Sequence, residues 1–326
     1  MNKKRYEQIN ETLYEEVLAN GLKVYILPKK DFHKTYGLFS TNYGSIDNVF
    51  GYQGESLKTV PDGIAHFLEH KLFEKEDGDI FQKFGEQGAS ANAFTSFTRT
   101  SYLFSATDQV KENLLTLLDF VQEPYFTPET VEKEKGIIGQ EIQMYQDDPV
   151  WRQFFGILNN LYPKHPLHID IAGTVESIDQ ITADDLYTCY ETFYHPSNMT
   201  LFIVGDVNPE EVLEWIQVNQ AGKKFSETKE IIREFPVETA AEIIPFSAIQ
   251  MPVNRPKAVL GIRGFQEQLP SNAKDQLVFR TGINLLLEML LGNTSHNYLQ
   301  LYQSGVIDDT FGFEFSFDRG FHFADF

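Results

Sequence analysis

The spacing of apolar and polar positions sorts most of the chain into short strands and amphipathic helices. Residues 16–19 and 22–27 flank Asn20-Gly21, a pair that supplies the positive φ angles of a type I′ hairpin turn. A strand is predicted over residues 35–41. Pro61-Asp62-Gly63 then punctuates the chain, with Asp62 as N-cap of a helix from Ile64 to about Phe73. A short helix follows at 80–84, then strands at 90–98 and 101–106. Val110, Leu114, Leu117, Leu118 and Val121 mark an amphipathic helix. Pro124 and Pro128 separate it from a longer one at 129–146, which Asp147-Asp148-Pro149 ends. Helical patterns recur at 151–161, 184–193 and 212–218, with an apolar, β-branched strand at 199–204. Residues 220–252 lose this rhythm and read as a linker. A strand restarts at 257–262 and a helix at 282–291.

That restart is an internal repeat. Gly63-Ile64-Ala65-His66-Phe67-Leu68-Glu69-His70 aligns with Gly282-Ile283-Asn284-Leu285-Leu286-Leu287-Glu288-Met289, 219 residues later. Asp79-Ile80-Phe81-Gln82-Lys83-Phe84 is echoed by Asn297-Tyr298-Leu299-Gln300-Leu301-Tyr302. The pattern predicts an α+β protein of two homologous domains, each a mainly antiparallel sheet backed by helices. The first covers 1–219, the linker 220–252, and 253–326 begins a second domain. A full second copy would run well past Phe326, so that domain is expected to be incomplete. Residues 34–106 and 257–326 should share one strand–helix–strand order. The second copy has Leu285 and Met289 where the first has His66 and His70, so the first carries chemistry that the second lacks.

Composition narrows the classes. Hydrophobic residues make up 42% of 326, with 28 Phe, enough for sizeable cores. The net charge of −20 repels nucleic acid and anionic lipid and favours solubility. Cys189 is the one cysteine, so no intramolecular disulfide forms, and no activating partner is visible for it. The basic start, Met1 to Gln8, is followed by no apolar run, and no stretch approaches the ~18 apolar residues of a membrane span. A cytoplasmic protein with no nucleic-acid or membrane partner is the expectation.

The candidate chemistry lies in the first helix. His66 and His70 stand one turn apart on one face, where two imidazoles can reach one metal ion, and Glu69 shares that face. This His-x-x-Glu-His order inverts a common zinc motif. Imidazole and carboxylate suit zinc, and a carboxylate beside a zinc-bound water can act as general base. Five residues alone also fit two surface histidines and a glutamate. In the 129–146 helix, Glu134 and Glu141 fall in the stripe of Val131, Ile138 and Tyr145, where acidic groups need a cation or a metal. They are seven residues, or about 10 Å, apart along the axis. One could ligate and the other support; the pattern leaves open which. His165-x-x-His168 has loop spacing around Pro163 and Pro166 and reads as structural.

The His66–His70 motif, then Gly88-Ala89-Ser90-Ala91-Asn92-Ala93-Phe94-Thr95, then Glu134 and Glu141, resembles the pitrilysin/insulinase family of zinc metallopeptidases, in particular its bacterial YmfH-like members. The resemblance runs along essentially the whole chain. It implies a pitrilysin/LuxS-like metallohydrolase fold, Zn2+ as cofactor, His66, His70 and Glu141 as ligands, Glu69 as base and Glu134 as support. It also implies that Asn92, Ala93 and Phe94 lie on an edge strand that pairs with a peptide substrate. The partners implied are that peptide and a second copy or an inactive homologue. An arginine and a tyrosine that the family's second half contributes would lie beyond Phe326. The expected function is a zinc endopeptidase acting on peptides or small unfolded proteins, possessing a role in peptide or protein maturation; the competing reading is a non-catalytic structural or peptide-binding subunit.

Overall fold

A computed structural model describes residues 1–76, 78–265, 269–270 and 272–326. The chain forms two compact units, one of residues 1–143 and 169–234, the other of residues 144–168 and 235–326.

The first unit opens with strands β1 (Asn2–Tyr6), β2 (Glu11–Val17), β3 (Lys23–Pro28) and β4 (Thr35–Thr41). Short strands β5 (Val49–Tyr52) and β6 (Lys58–Thr59) lead to helix α1 (Ile64–Phe73). The ribbon β7 (Glu74–Lys75) and β8 (Gly78–Asp79) leads to α2 (Ile80–Glu86) and the hairpin β9 (Ala89–Thr95) and β10 (Thr100–Ala106). Helices α3 (Val110–Gln122), α4 (Pro128–Asp147), α6 (Val175–Asp179) and α7 (Ala183–Phe193) follow; α5 (Pro149–Leu161), between α4 and α6 in the sequence, belongs to the second unit. Then come β11 (Met199–Gly205), α8 (Pro209–Ala221) and β12 (Ile231–Arg233).

Seven strands form the main sheet in the order β1-β2-β3-β11-β4-β10-β9, antiparallel except where β11 runs parallel to β3. In β4 and β11 every second residue is buried, as a strand with one face on a core requires. Phe39, Leu201 and Ile203 face a core that includes Phe67, Leu68 and Leu72 of α1 and Leu114, Leu117 and Leu118 of α3. Strand β9 is one edge of this sheet.

Two local expectations are corrected. The β2–β3 turn is not type I′: Gly21 has φ +87°, but Asn20 does not share it. Leu18 and Gly21 close a longer loop, with Leu18 N–H donating to Leu22 O and Gly21 N–H to Leu18 O. The Asn20 carboxamide accepts from Leu22 N–H instead of adopting a left-handed backbone. Helix α1 starts where predicted, but Gly63 and not Asp62 is its N-cap, with no side-chain cap. Asp62 accepts instead from the Asn48 carboxamide at 3.1 Å. Gly63 has φ +86°, and a Cβ there would meet Ala172 O at 2.4 Å. Gly63→Ala therefore combines a disfavoured backbone with a clash. It should cost about 1–3 kcal/mol, seen as a lower urea midpoint at unchanged slope.

In the second unit β13 (Gly261–Arg263), α9 (Ala273–Leu291), α10 (His296–Gln303), β14 (Glu314–Asp318) and β15 (Phe321–Asp325) repeat the order of β4, α1, α2, β9 and β10. The pairing repeats as well: β15 lies antiparallel between β13 and β14, as β10 lies between β4 and β9. Helix α9 is longer than the predicted 282–291. Its Leu287 meets Phe315 and Ala324 in a core of this unit's own. Leu285 and Met289, both exposed, carry neither imidazole nor carboxylate, so α9 lacks the ligand pair of α1. A buried Arg263–Glu238 ion pair (2.9 Å) and the Tyr162 hydroxyl donating to His322 O (2.8 Å) tie this unit together. His165 is buried there, with Nδ1 accepting from Leu167 N–H, a structural arrangement.

Candidate metal centre

Helix α1 is buried along nearly all its length, which fixes its rotation and so the direction of His66, Glu69 and His70. Helix α4 buries Val131, Glu134, Ile138 and Ile142, and this stripe turns Glu134 and Glu141 toward α1. One ligand atom each from His66, His70 and Glu141 lie within 4.8 Å of one another. His66 Nε2 stands 3.7 Å and His70 Nε2 3.6 Å from the Glu141 carboxylate. Those gaps are too long for hydrogen bonds. They approach the roughly 3.3–3.6 Å that separates two ligands bound to one tetrahedral ion at about 2.0–2.2 Å.

The surroundings fit a cation. His66 presents Nε2 to Glu141, and its Nδ1, the other ring nitrogen, is buried without a hydrogen-bond partner among the described residues. Burial, then the neighbouring His70, pushes the His66 pKa down and keeps the imidazole neutral, the form that ligates. His70 Nδ1 lies 3.0 Å from the Glu134 carboxylate, which leaves Nε2 to face Glu141. Burial works to lower the pKa of His70, but the Glu134 hydrogen bond and the nearby carboxylates outweigh it and leave it raised. A carboxylate behind a ligating histidine is the usual way to fix its tautomer and orientation. The donor set of two imidazoles and a carboxylate, with a position left over, suits zinc.

Glu69 is 7% exposed, and its Oε2 accepts from the Thr95 hydroxyl at 2.6 Å. Burial raises its pKa, and the Thr95 bond and His70 offset only part of that. Thr95 carried no role in the sequence reading. The signal that finds it is period two: Ala91, Ala93 and Thr95 share one face of β9, and Ala93 pairs with Tyr102, which packs against Phe73 of α1.

Beside Glu69, His70 and Glu134 a cleft of about 520 Å³ is lined also by Asn92 and Ala93. Phe94 is not among its lining residues; it is 38% exposed with Arg99 over its ring. Ser96 N–H donates to Arg99 O, so by alternation the N–H groups of residues 94 and 92 point to β10, and those of 95, 93 and 91 point to the open edge. The Ala93 N–H accordingly donates to the Asn92 side chain, at 2.9 Å.

The chain belongs to the M16 peptidase family. Residues 57–175 match the model described as Insulinase (Peptidase family M16), and residues 180–326 that of the Peptidase M16 inactive domain. The chain is 57% identical to a Bacillus subtilis protein named zinc protease YmfH over 98% of its own length and 74% of that protein's. To a zinc protease of Rickettsia bellii it is 31% identical, covering 64% of this chain and 48% of that one. Among solved structures, an M16-like peptidase from Alicyclobacillus acidocaldarius superposes with a TM-score of 0.89 at 40% identity, over 97% of this chain and 74% of that one. Pitrilysin shares the fold at a TM-score of 0.74 and 16% identity, over 99% and 34%. No helix among the described residues is long and apolar enough to cross a membrane.

Proposed function

We propose that the protein is a zinc endopeptidase that hydrolyses peptides or small unfolded proteins. The observation that carries this is the convergence of His66, His70 and Glu141 beside a buried, oriented Glu69 at the end of an open sheet edge. In this reading His66, His70 and Glu141 hold the ion. Bound there, zinc supplies a Lewis acid and a water of lowered pKa. Glu69 accepts the proton of the attacking water and delivers it to the leaving amine. Glu134 holds the His70 ring in place. The edge of β9 at Asn92, Ala93 and Phe94 takes the substrate backbone as an added strand, which gives affinity with little sequence preference.

The same reading includes a metal-binding domain over 1–219, a linker over 220–252 and a second homologous domain from 253, cytoplasmic location, and pairing with a second copy or an inactive homologue. The division follows the repeat; packing groups 144–168 with 235–326. The match of 180–326 to the inactive-domain model supports a second half without metal chemistry.

The test is cleavage of an unstructured peptide by the zinc-loaded full-length protein, wild type beside Ala93→Pro. Proline removes an N–H that points to the open edge and so spares the β10 ladder. Wild type should cleave and lose activity to a chelator. Ala93→Pro should keep its zinc and lose about tenfold in kcat/KM, one net hydrogen bond. Zinc-loaded wild type that binds peptide but never cuts it would favour the non-catalytic reading.

A further inference from the structure

Lys71 follows His70 directly and is fully buried, 0% exposed. A lysine taken wholly out of water needs a counter-charge and acceptors, because desolvating an ammonium is costly. It has both. Its Nζ donates to the Glu74 carboxylate just past the end of α1 and to Thr130 O in the first turn of α4, at 3.3 Å. Glu74 also lies 3.8 Å from Lys133, the α4 residue next to Glu134. Two ties therefore join the same stretches of α1 and α4. One is His70 to Glu134; the other runs Lys71–Glu74–Lys133 with the Thr130 carbonyl.

Nothing in burial alone asks for a lysine here. The flanking Leu68 and Leu72 are apolar core residues, and a Met would fill the same space. An ammonium differs from Met in being directional: it holds a particular carbonyl and a particular carboxylate. Those acceptors stand four residues before Glu134 and one turn past His70, so the clamp fixes both the separation of the two helices and their axial register. Glu141, on the same helix, inherits that register, and the gaps of 3.6–3.7 Å between it and the two imidazoles depend on it.

The geometry points to Lys71 as a positioning residue of the metal centre: with Glu74 it sets the register of α4 against α1, and so the distance of Glu141 from His66 and His70. It touches neither ligand nor substrate and acts through the helices. The inference rests on the reading that these three residues hold zinc.

The test uses zinc titration and the visible spectrum of the cobalt-substituted full chain. The variants are Lys71→Met, Lys71→Arg and the double variant Lys71→Met/Glu74→Leu. Replacing a buried ion pair by apolar residues is often neutral or stabilising for the fold, so the double variant separates folding from positioning. Lys71→Met and the double variant should bind zinc about 10–100-fold more weakly, as loss of an outer partner of a metal site does. Their cobalt band should weaken as tetrahedral geometry is lost, with the apo melting temperature of the double variant near wild type. Lys71→Arg should recover most of the affinity. A double variant with wild-type zinc affinity and cobalt spectrum would overturn the inference and leave the pair structural only. A wild type that binds no zinc would overturn the metal-site reading, and this inference with it.

Discussion

Glu69→Gln should abolish peptide hydrolysis in the full-length enzyme while leaving zinc and peptide bound. The carboxylate is buried beside the two histidines, and its Oε2 is held by the Thr95 hydroxyl. Gln keeps the shape and can still accept from Thr95 through its carbonyl oxygen. It cannot take a proton from water. Loss of a general base costs about 10²–10⁴ in rate, and more if the same group also protonates the leaving amine. The measurement is single-turnover cleavage of a fluorogenic peptide beside metal analysis of the same sample. Wild-type turnover in Glu69→Gln would remove Glu69 from the chemistry, and zinc lost along with activity would make it a ligand.

The second large effect falls on the ligands. Alanine at His66, His70 or Glu141 should each lower zinc affinity by more than the 10–100-fold typical of an outer partner, because a third of the protein's donor set is gone. Glu134→Ala should stay within that range, since it leaves all three donors and removes only the bond to His70 Nδ1. The order of effects matters as much as their size. Competitive titration against a zinc chelator reads it directly. Glu134→Ala weaker than Glu141→Ala would exchange the roles of the two glutamates.

Much of this was legible in the sequence. Helix α1 appears at its predicted bounds, since Pro61-Asp62-Gly63 marks its start. The repeat was readable from the matches of 63–70 with 282–289 and of 79–84 with 297–302, and the β13–β15–β14 pairing matches β4–β10–β9. Less legible were features set by tertiary packing. The parallel alignment of β11 with β3 joins residues about 180 apart, and no local pattern records it. Strands β5 to β8 have only two to four residues, too short to show a period. Neither of the two expectations about Asn20 and Asp62 held, because each side chain found a different hydrogen-bond partner. At the site, helical spacing put His66 and His70 on one face, but the stripe of α4 left both glutamates open. The structure sets Glu134 behind His70 and Glu141 between the imidazoles, a distinction made by the register of two helices. Lys71 and Thr95 went unassigned because one looks like any helix lysine and the other like any strand threonine until their partners are known.

The central claim is that His66, His70 and Glu141 together hold one zinc ion. Its most direct measurement is metal content by mass spectrometry of wild type and His70→Ala, purified alike and dialysed against a weak chelator. The account predicts close to one zinc per chain in wild type and little in His70→Ala. Equal zinc in the two proteins would contradict it.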